Sequence, residues 1–463
     1  MTKPSGLSAT PHASRTIRVV CILYWAQLSL PLLLIVDVLA ARILGYVHFG
    51  LLESDTIVLT GSVLWLSVGL TMLVCSRDRE RFLRRASGPL TSLYMLFFCV
   101  LLLEGGARLV LPRAPRLPSL RPPGTRVVYD ADSQQTPGIA GRKTFTVDEV
   151  GLRGPSFPTT SYVYKIITVG GSTTECAALD DSEEWPHLVM EELNAAGNNE
   201  KVWIGNAGVS GHTTADHLVL LETLPVFQKV NMVVFLIGVN DLEPAMAFSG
   251  EPLQSHLEHQ AELVRQSLLA GGTWEYRFPL YKHLAVFRIG RKAGTVIAAK
   301  LRSDSAQQKW MDLSKLRQRR ADARRIPIPR LENGLAGYRD RVSRLARQCR
   351  VLQLRCLFLT QPTIWRNDLS AEEQRMLWWG YVGRWDGPKG YAPAGDLAAG
   401  MDRFNRELLG VCKQDGLECF DLAAQVPKSR FAFYDDQHFS AEGARIVSRA
   451  LTDYLLSRPP FRS

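Results

Sequence analysis

The chain has 463 residues, a formal net charge of +10 and 46% hydrophobic residues. That length allows up to about three domains, and a near-neutral mean hydropathy conceals two unlike parts, apolar before Leu111 and globular after it. The excess positive charge is local: residues 282–330 hold fourteen Lys and Arg against Asp304, Asp312 and Asp322, with few aromatics and no nucleic-acid motif, which excludes a nucleic-acid binder.

The first 111 residues read as a membrane region. Three apolar runs, Cys21 to Ala41, Ile57 to Cys75 and Pro89 to about Leu111, reach or approach the roughly 17–25 residues that cross a bilayer. Glu104 and Arg108 interrupt the third at a spacing of four, which lets them pair on one helix face. Arg77, Arg79, Arg81, Arg84 and Arg85 fill the second loop, whereas Arg42 alone marks the first. The positive-inside rule then keeps the amino-terminal tail and second loop in the cytoplasm and puts everything after Leu111 outside. Arg113, Arg116, Arg121 and Arg126 oppose that orientation, but large domains translocate largely regardless of charge. The first run is too long for a cleaved signal peptide and lacks a small-residue cleavage site. The expectation is a multi-pass protein of the cytoplasmic (inner) membrane with three transmembrane helices and its globular part facing the periplasm or exterior.

Residues 112–160 read as an extracytoplasmic tether and lead-in. The tether is rich in Pro and Arg, and the lead-in contains the turn Gly151–Leu152–Arg153–Gly154–Pro155. From residue 161 the chain alternates short strands with helices. Ile166 to Val169 is β-branched and stops at Gly170 and Gly171, which leaves Ser172 at a strand end. Asp180 to Glu184 reads as a helix start before Trp185. Further strands are Val202 to Ile204, Val230 to Ile237, Arg355 to Leu359 and Glu418 to Leu422. Helical patterns cover Trp185 to Asn194, Thr214 to Leu224, Leu331 to Gln348, Met401 to Gln414 and Ala441 to Leu456. This alternation predicts an α/β domain with a parallel sheet covered on both faces. A basic helical insertion at about 250–330 interrupts it. That insertion is either a solvated surface or, through Lys282 to Arg330, a contact for anionic lipid or an acidic polymer.

Cys349 and Cys356, and Cys412 and Cys419, flank helix-to-strand junctions at equal spacing. They fit two short-loop disulfides in an oxidising compartment, or four buried thiols. Cys176 reads as a packing residue. His256 and His259 share a helix face without a third ligand, and His212 and His217 are no better placed, so no metal site is expected. Trp365, Trp378 and Trp379 read as packing residues, with an acyl or sugar platform as the alternative.

Ser172 alone fits a helix cap or phosphate turn as well as a nucleophile. Three other strand ends decide between them. Gly211 offers a backbone N–H in a tight turn, and Asn240 offers a side-chain amide. With the N–H of Ser172 these make three donors for one oxygen. His438 lies near the carboxyl terminus with Asp435 three residues before it, within reach to orient the imidazole.

Gly170–Gly171–Ser172, the Gly211 turn, Gly238–Val239–Asn240–Asp241 and Asp435-x-x-His438 resemble, in order, the four signature blocks of the SGNH (GDSL-like) hydrolases. The resemblance spans about Tyr164 to Leu456. Gly171 departs from it, since many members carry Asp there. The Gly-Gly-Ser-Thr-Thr form, the Gly151–Gly154 turn, Thr360–Gln361–Pro362–Thr363 and Leu377–Trp378–Trp379–Gly380 look like membrane-anchored bacterial members. The resemblance implies a flavodoxin-like three-layer α/β/α fold. It also implies an ester hydrolase with nucleophile Ser172, base His438, orienting Asp435, and oxyanion donors Ser172, Gly211 and Asn240. No metal or organic cofactor is implied. The expected substrate is an acylated carbohydrate of the envelope or exterior, or a lipid ester. The alternatives are an O-acyltransferase using the same acyl-enzyme and a non-catalytic envelope assembly protein.

Overall fold

The computed structural model describes residues 11–43, 53–74, 89, 92, 95, 99–106, 108, 119–121, 123–160, 163–196, 201–248, 251–269, 284–285, 313–383 and 389–462. The chain divides into two compact units, residues 1–116 with 270–304, and residues 117–269 with 305–463. The insertion expected at 250–330 is therefore shared between them.

In the first unit, helices α1 (Pro11–Ile43) and α2 (Glu53–Val74) pack together. The Tyr24 hydroxyl donates to the Gly69 carbonyl at 2.8 Å and the Trp65 indole to the Gln27 amide oxygen at 2.8 Å. Large apolar side chains such as Ile22, Leu33 and Leu64 stay exposed, which suits a lipid environment. Among the described residues one helix is long and apolar enough to cross a membrane, through Val19–Leu39 at mean hydropathy 2.3; α2 holds a shorter apolar stretch, Val58–Thr71. Part of the third expected span lies outside the described residues. Within it Arg108 pairs with Glu104 at 2.6 Å, as the four-residue spacing predicts. The same Glu104 oxygen accepts the Ala285 N–H at 2.9 Å.

The second unit begins with an antiparallel hairpin, β1 (Arg126–Ala131) and β2 (Gly141–Thr146). Strand β3 (Val163–Gly170) runs into the single-turn helix α3 (Ser172–Glu175), followed by α4 (Trp185–Ala195), β4 (Lys201–Asn206), α5 (Thr214–Thr223), β5 (Met232–Leu236) and α6 (Val239–Ala247). Helices α7 (Glu251–Leu269), α8 (Leu313–Asp322) and α9 (Glu332–Val351) lead to β6 (Arg355–Leu359). Then come α10 (Ala371–Met376), the hairpin β7 (Tyr381–Gly383) and β8 (Lys389–Tyr391), α11 (Ala394–Asp415), β9 (Glu418–Phe420) and α12 (Ala441–Leu456).

Five strands form one parallel sheet in the order β4-β3-β5-β6-β9. Renumbered within the sheet this is 2-1-3-4-5, the flavodoxin-like order. Helix α4 packs with α12, and α9 with α5 and α11, so each face of the sheet is covered. Every residue of β5 is buried, which is why its sequence is an unbroken apolar run rather than an alternating one. At about 25 cal/mol per Å² of apolar surface, a strand buried on both faces is where substitution costs most.

One expectation shifts and one alternative is resolved. The acidic run before Trp185 does not cap α4: Glu184 precedes that helix without a side-chain cap bond. Its neighbours turn to β2 instead, Asp180 accepting the Thr144 N–H, Asp181 the Thr146 hydroxyl and Glu183 the Lys143 ammonium. Glu184 itself is buried and spends its carboxylate on Arg153 and the Asn206 amide instead of the helix end. The four paired cysteines form disulfides, Cys349–Cys356 and Cys412–Cys419, with Cα separations of 6.3 and 6.2 Å.

Candidate active site

Strands β3 and β5 are neighbours, and their carboxyl ends flank the reversal point of the strand order, where α/β sheets handle ligands. The turn out of β3 tolerates no side chain at two successive positions. A Cβ at Gly170 would lie 2.2 Å from the Thr174 hydroxyl and 2.7 Å from the Leu236 carbonyl; one at Gly171 would lie 2.1 Å from Asn240 Nδ2. At position 171, where many family members carry Asp, the space beside the backbone is taken by the Asn240 amide in this chain. Ser172 therefore leaves the sheet abruptly and heads α3, half-buried.

The loop between β9 and α12 brings up the other half. The Tyr434 N–H donates to the His438 carbonyl at 3.1 Å, and Phe433 bridges Phe439, closing a tight loop around residues 434–438. Ser440 stops it by capping α12, its hydroxyl accepting the Gly443 N–H at 3.0 Å. Inside the loop the Asp435 carboxylate accepts the backbone N–H groups of Gln437 and His438 at 3.1 and 2.9 Å. Its two oxygens lie 2.7 and 2.9 Å from His438 Nδ1, and His438 Nε2 lies 2.7 Å from Ser172 Oγ. A proton on Nδ1 donates to Asp435 and leaves Nε2 to accept from the serine hydroxyl.

The charges agree with that arrangement. Burial pulls the His438 imidazole down, but the Asp435 carboxylate more than offsets it and holds the ring above its ordinary value. Burial pushes Asp435 up, but His438 and the Trp378 indole hold the carboxyl below its ordinary value.

Asn240 is buried, and one Nδ2 hydrogen goes to the His212 carbonyl at 2.9 Å. Gly211 sits at φ +80, the left-handed region where a Cβ is strained. No described group accepts the N–H of Ser172 or of Gly211. Asp241, next to Asn240, is buried against Arg341 at 3.1 Å and accepts the Thr214 hydroxyl at 2.5 Å, which ties the start of α5 to α6 and α9.

The profile of the GDSL-like lipase/acylhydrolase family matches residues 168–446. The chain belongs to this family. Its chemistry is therefore that of a serine ester hydrolase, and the matched span contains Ser172, Gly211, Asn240, Asp435 and His438. Among solved structures it resembles an acetylxylan esterase, Axe2 of Geobacillus stearothermophilus, at 14% identity and TM-score 0.34, covering 64% of this chain and 95% of that one. It also resembles a lipase/acylhydrolase of Enterococcus faecalis, at 16% identity and TM-score 0.33, covering 64% and 97%. No curated protein matches the chain.

Several supports of the Ser172–His438–Asp435 cluster carry no local sequence signal. Asp436 is fully buried and accepts the Trp365 indole N–H at 2.8 Å and the backbone N–H groups of Trp378 and Trp379 at 2.7 and 3.0 Å. The Trp378 indole donates to Asp435 at 2.9 Å. Trp365 and Trp379 are buried and stacked, so these two pack rather than form an open platform. Arg317, from the described end of the basic insertion, donates to the carbonyls of Tyr434, Gln135 and Met376. Arg320 is buried and donates to the carbonyls of Trp379 and Ala392. Those two arginines are structural, and the insertion's remaining charges from 286 to 312 lie outside the described residues. Arg153, fully buried, pairs with Asp181 and Glu184 and donates to the carbonyls of Glu175, Cys176 and Leu179, fixing the chain just after Ser172.

The other candidates stay apart from this chemistry. His217 is buried and pushed down to about 3, and His212 is pushed down to about 4, both by burial. Both are neutral rings at ordinary pH. Burial pushes the Cys176 thiol well up, away from thiolate character. His256 stacks on Phe248. Among the described residues no group of three His, Cys, Asp or Glu side chains could hold a metal ion.

Proposed function

We propose that the chain is a membrane-anchored serine esterase that hydrolyses O-acyl esters through an acyl-enzyme on Ser172. The observation that carries the roles is the unbroken line from Asp435 through His438 to Ser172, with 2.7 Å at each step. His438 takes the proton of Ser172 as the oxygen attacks the ester carbonyl. Asp435 holds the ring's tautomer and stabilises the imidazolium. The tetrahedral oxygen receives the N–H groups of Ser172 and Gly211 and the second Nδ2 hydrogen of Asn240. His438 then gives its proton to the leaving alcohol, and a water activated by the same nitrogen releases the acid.

The anchored placement is supported by the apolar Val19–Leu39 helix and by the arginine asymmetry of the loops. The two disulfides support an oxidising side for the hydrolase unit, hence the periplasm or exterior. Residues 1–111 then form the membrane region, 112–160 the tether and lead-in, and 161–463 the hydrolase domain. The substrates this placement favours are acylated envelope or extracellular glycans, or lipid esters.

A fluorophosphonate probe tests the proposal. It should label the wild-type chain at Ser172, and Ser172→Ala and His438→Ala should each abolish acetate release from a chromogenic ester. A folded wild-type chain that takes no label refutes the nucleophile.

A further inference from the structure

The 208–212 turn that carries Gly211 is held at almost every polar atom. The Gly208 N–H donates to the Asn206 side chain at 2.8 Å, the Val209 N–H to the Gly170 carbonyl at 3.0 Å, and the His212 N–H to the Val209 carbonyl at 3.1 Å. The Gly211 carbonyl accepts from Gln260 at 3.1 Å, and the His212 carbonyl accepts from Asn240. The Ser210 N–H and hydroxyl both donate to one oxygen of Glu175, at 2.9 and 2.5 Å. Among the backbone N–H groups of the turn, only that of Gly211 is left over.

Glu175 stands three residues after Ser172, on the same helical turn. Its other carboxylate oxygen accepts from Arg121 Nη2 at 2.9 Å, and that nitrogen also reaches the Gly208 carbonyl. Both side chains are almost out of water, at 13% and 12% exposure, so each neutralises the other where solvent does so poorly. Arg121 is itself seated: the Ser119 hydroxyl donates to its carbonyl at 2.6 Å, and a Cβ on Gly151 would lie 2.9 Å from that carbonyl. The lead-in is thus bound to the hydrolase unit beside the turn.

We propose that Glu175 is a positioning residue: its carboxylate, neutralised by Arg121, cross-links the nucleophile's helical turn to Ser210 and so aims the Gly211 N–H at the tetrahedral oxygen. This rests on the reading of Ser172 as nucleophile. Ser210 is exposed, so its two bonds to Glu175 are not part of core packing. An oxyanion donor is effective only when held within about 0.5 Å of its working place. An arginine ahead of the first strand thereby sets the rate of a step at the sheet's edge.

The test uses the full-length chain in detergent with 4-nitrophenyl acetate. Glu175→Ala should lower kcat by about 10–100-fold and leave KM within about twofold, because the donor acts on the transition state. Glu175→Gln keeps an acceptor for Ser210 and should recover part of that loss. Ser210→Ala removes only the hydroxyl contact and should lower kcat by about 2–5-fold with an unchanged melting temperature. Glu175→Ala and Ser210→Ala with wild-type kcat, or with the loss confined to KM, would overturn the proposal. If Glu175→Ala does not fold, Ser210→Ala decides by the same criterion. Fluorophosphonate labelling of the wild type separates the two readings: its failure removes the nucleophile, whereas labelling together with unaffected variants removes only the role of Glu175.

Discussion

The two halves of the site are held by different physics. Around Ser172 the backbone leaves no room: the turn admits no Cβ at Gly170 or Gly171, and Gly211 is exposed and left-handed, with Glu175, Gln260 and Asn240 pinning its turn from outside. Around His438 the fixed parts are side chains, with buried carboxylates at Asp435 and Asp436 that take their donors from Trp365, Trp378 and Trp379. Added atoms should therefore break the serine half, which also leans on the Glu175 and Asn240 side chains, whereas the histidine half should break when charge or a donor is removed.

The sharpest break in the histidine half is Asp435→Asn. It keeps the shape but lets the imidazole take the wrong tautomer, and kcat should fall by about 10⁴-fold, read on a chromogenic ester. On the serine half, Gly171→Ala deletes nothing, yet its Cβ must displace the Asn240 amide. A loss of about 10²–10³ in kcat is expected, matching Asn240→Ala, and the double variant should be no worse than either alone.

The pH dependence separates activity from stability. In the proposed mechanism His438 must be neutral to act as base, and its value is raised. The acid limb of kcat/KM should therefore lie above the ordinary histidine value of about 6.5. A raised histidine contributes stability that is full below about pH 6.5 and is lost as pH rises through its folded value. Asp435, held low, contributes stability present above about pH 4 and lost as pH falls through its folded value. The melting-temperature gap between wild type and Asp435→Asn should peak between these limits and shrink where activity is greatest. A smaller effect than these is expected for Trp378→Phe, which removes one donor from Asp435. A loss of about 1–2 kcal/mol, seen as a few degrees in melting and up to about tenfold in kcat, would fit.

What could be read from the sequence was local or periodic. The β-branched run before Gly170 and the apolar run of β5 announce buried strands, and α12 starts and ends where its pattern predicts. Ser172 and His438 stand 266 positions apart, and only the ordered blocks linked them. The supports had no such guide. Asp436 and Trp365 are 71 positions apart, and nothing near either says that one needs the other. The hairpin β7–β8 gives no signal for a different reason: its strands are three residues each, too short for a period.

Arg121 gives the lead-in a meaning beyond length. A chain trimmed ahead of Arg121 would keep the ion pair with Glu175. One trimmed just past it would lose that pair and, if Glu175 acts as proposed, should match Glu175→Gln in turnover.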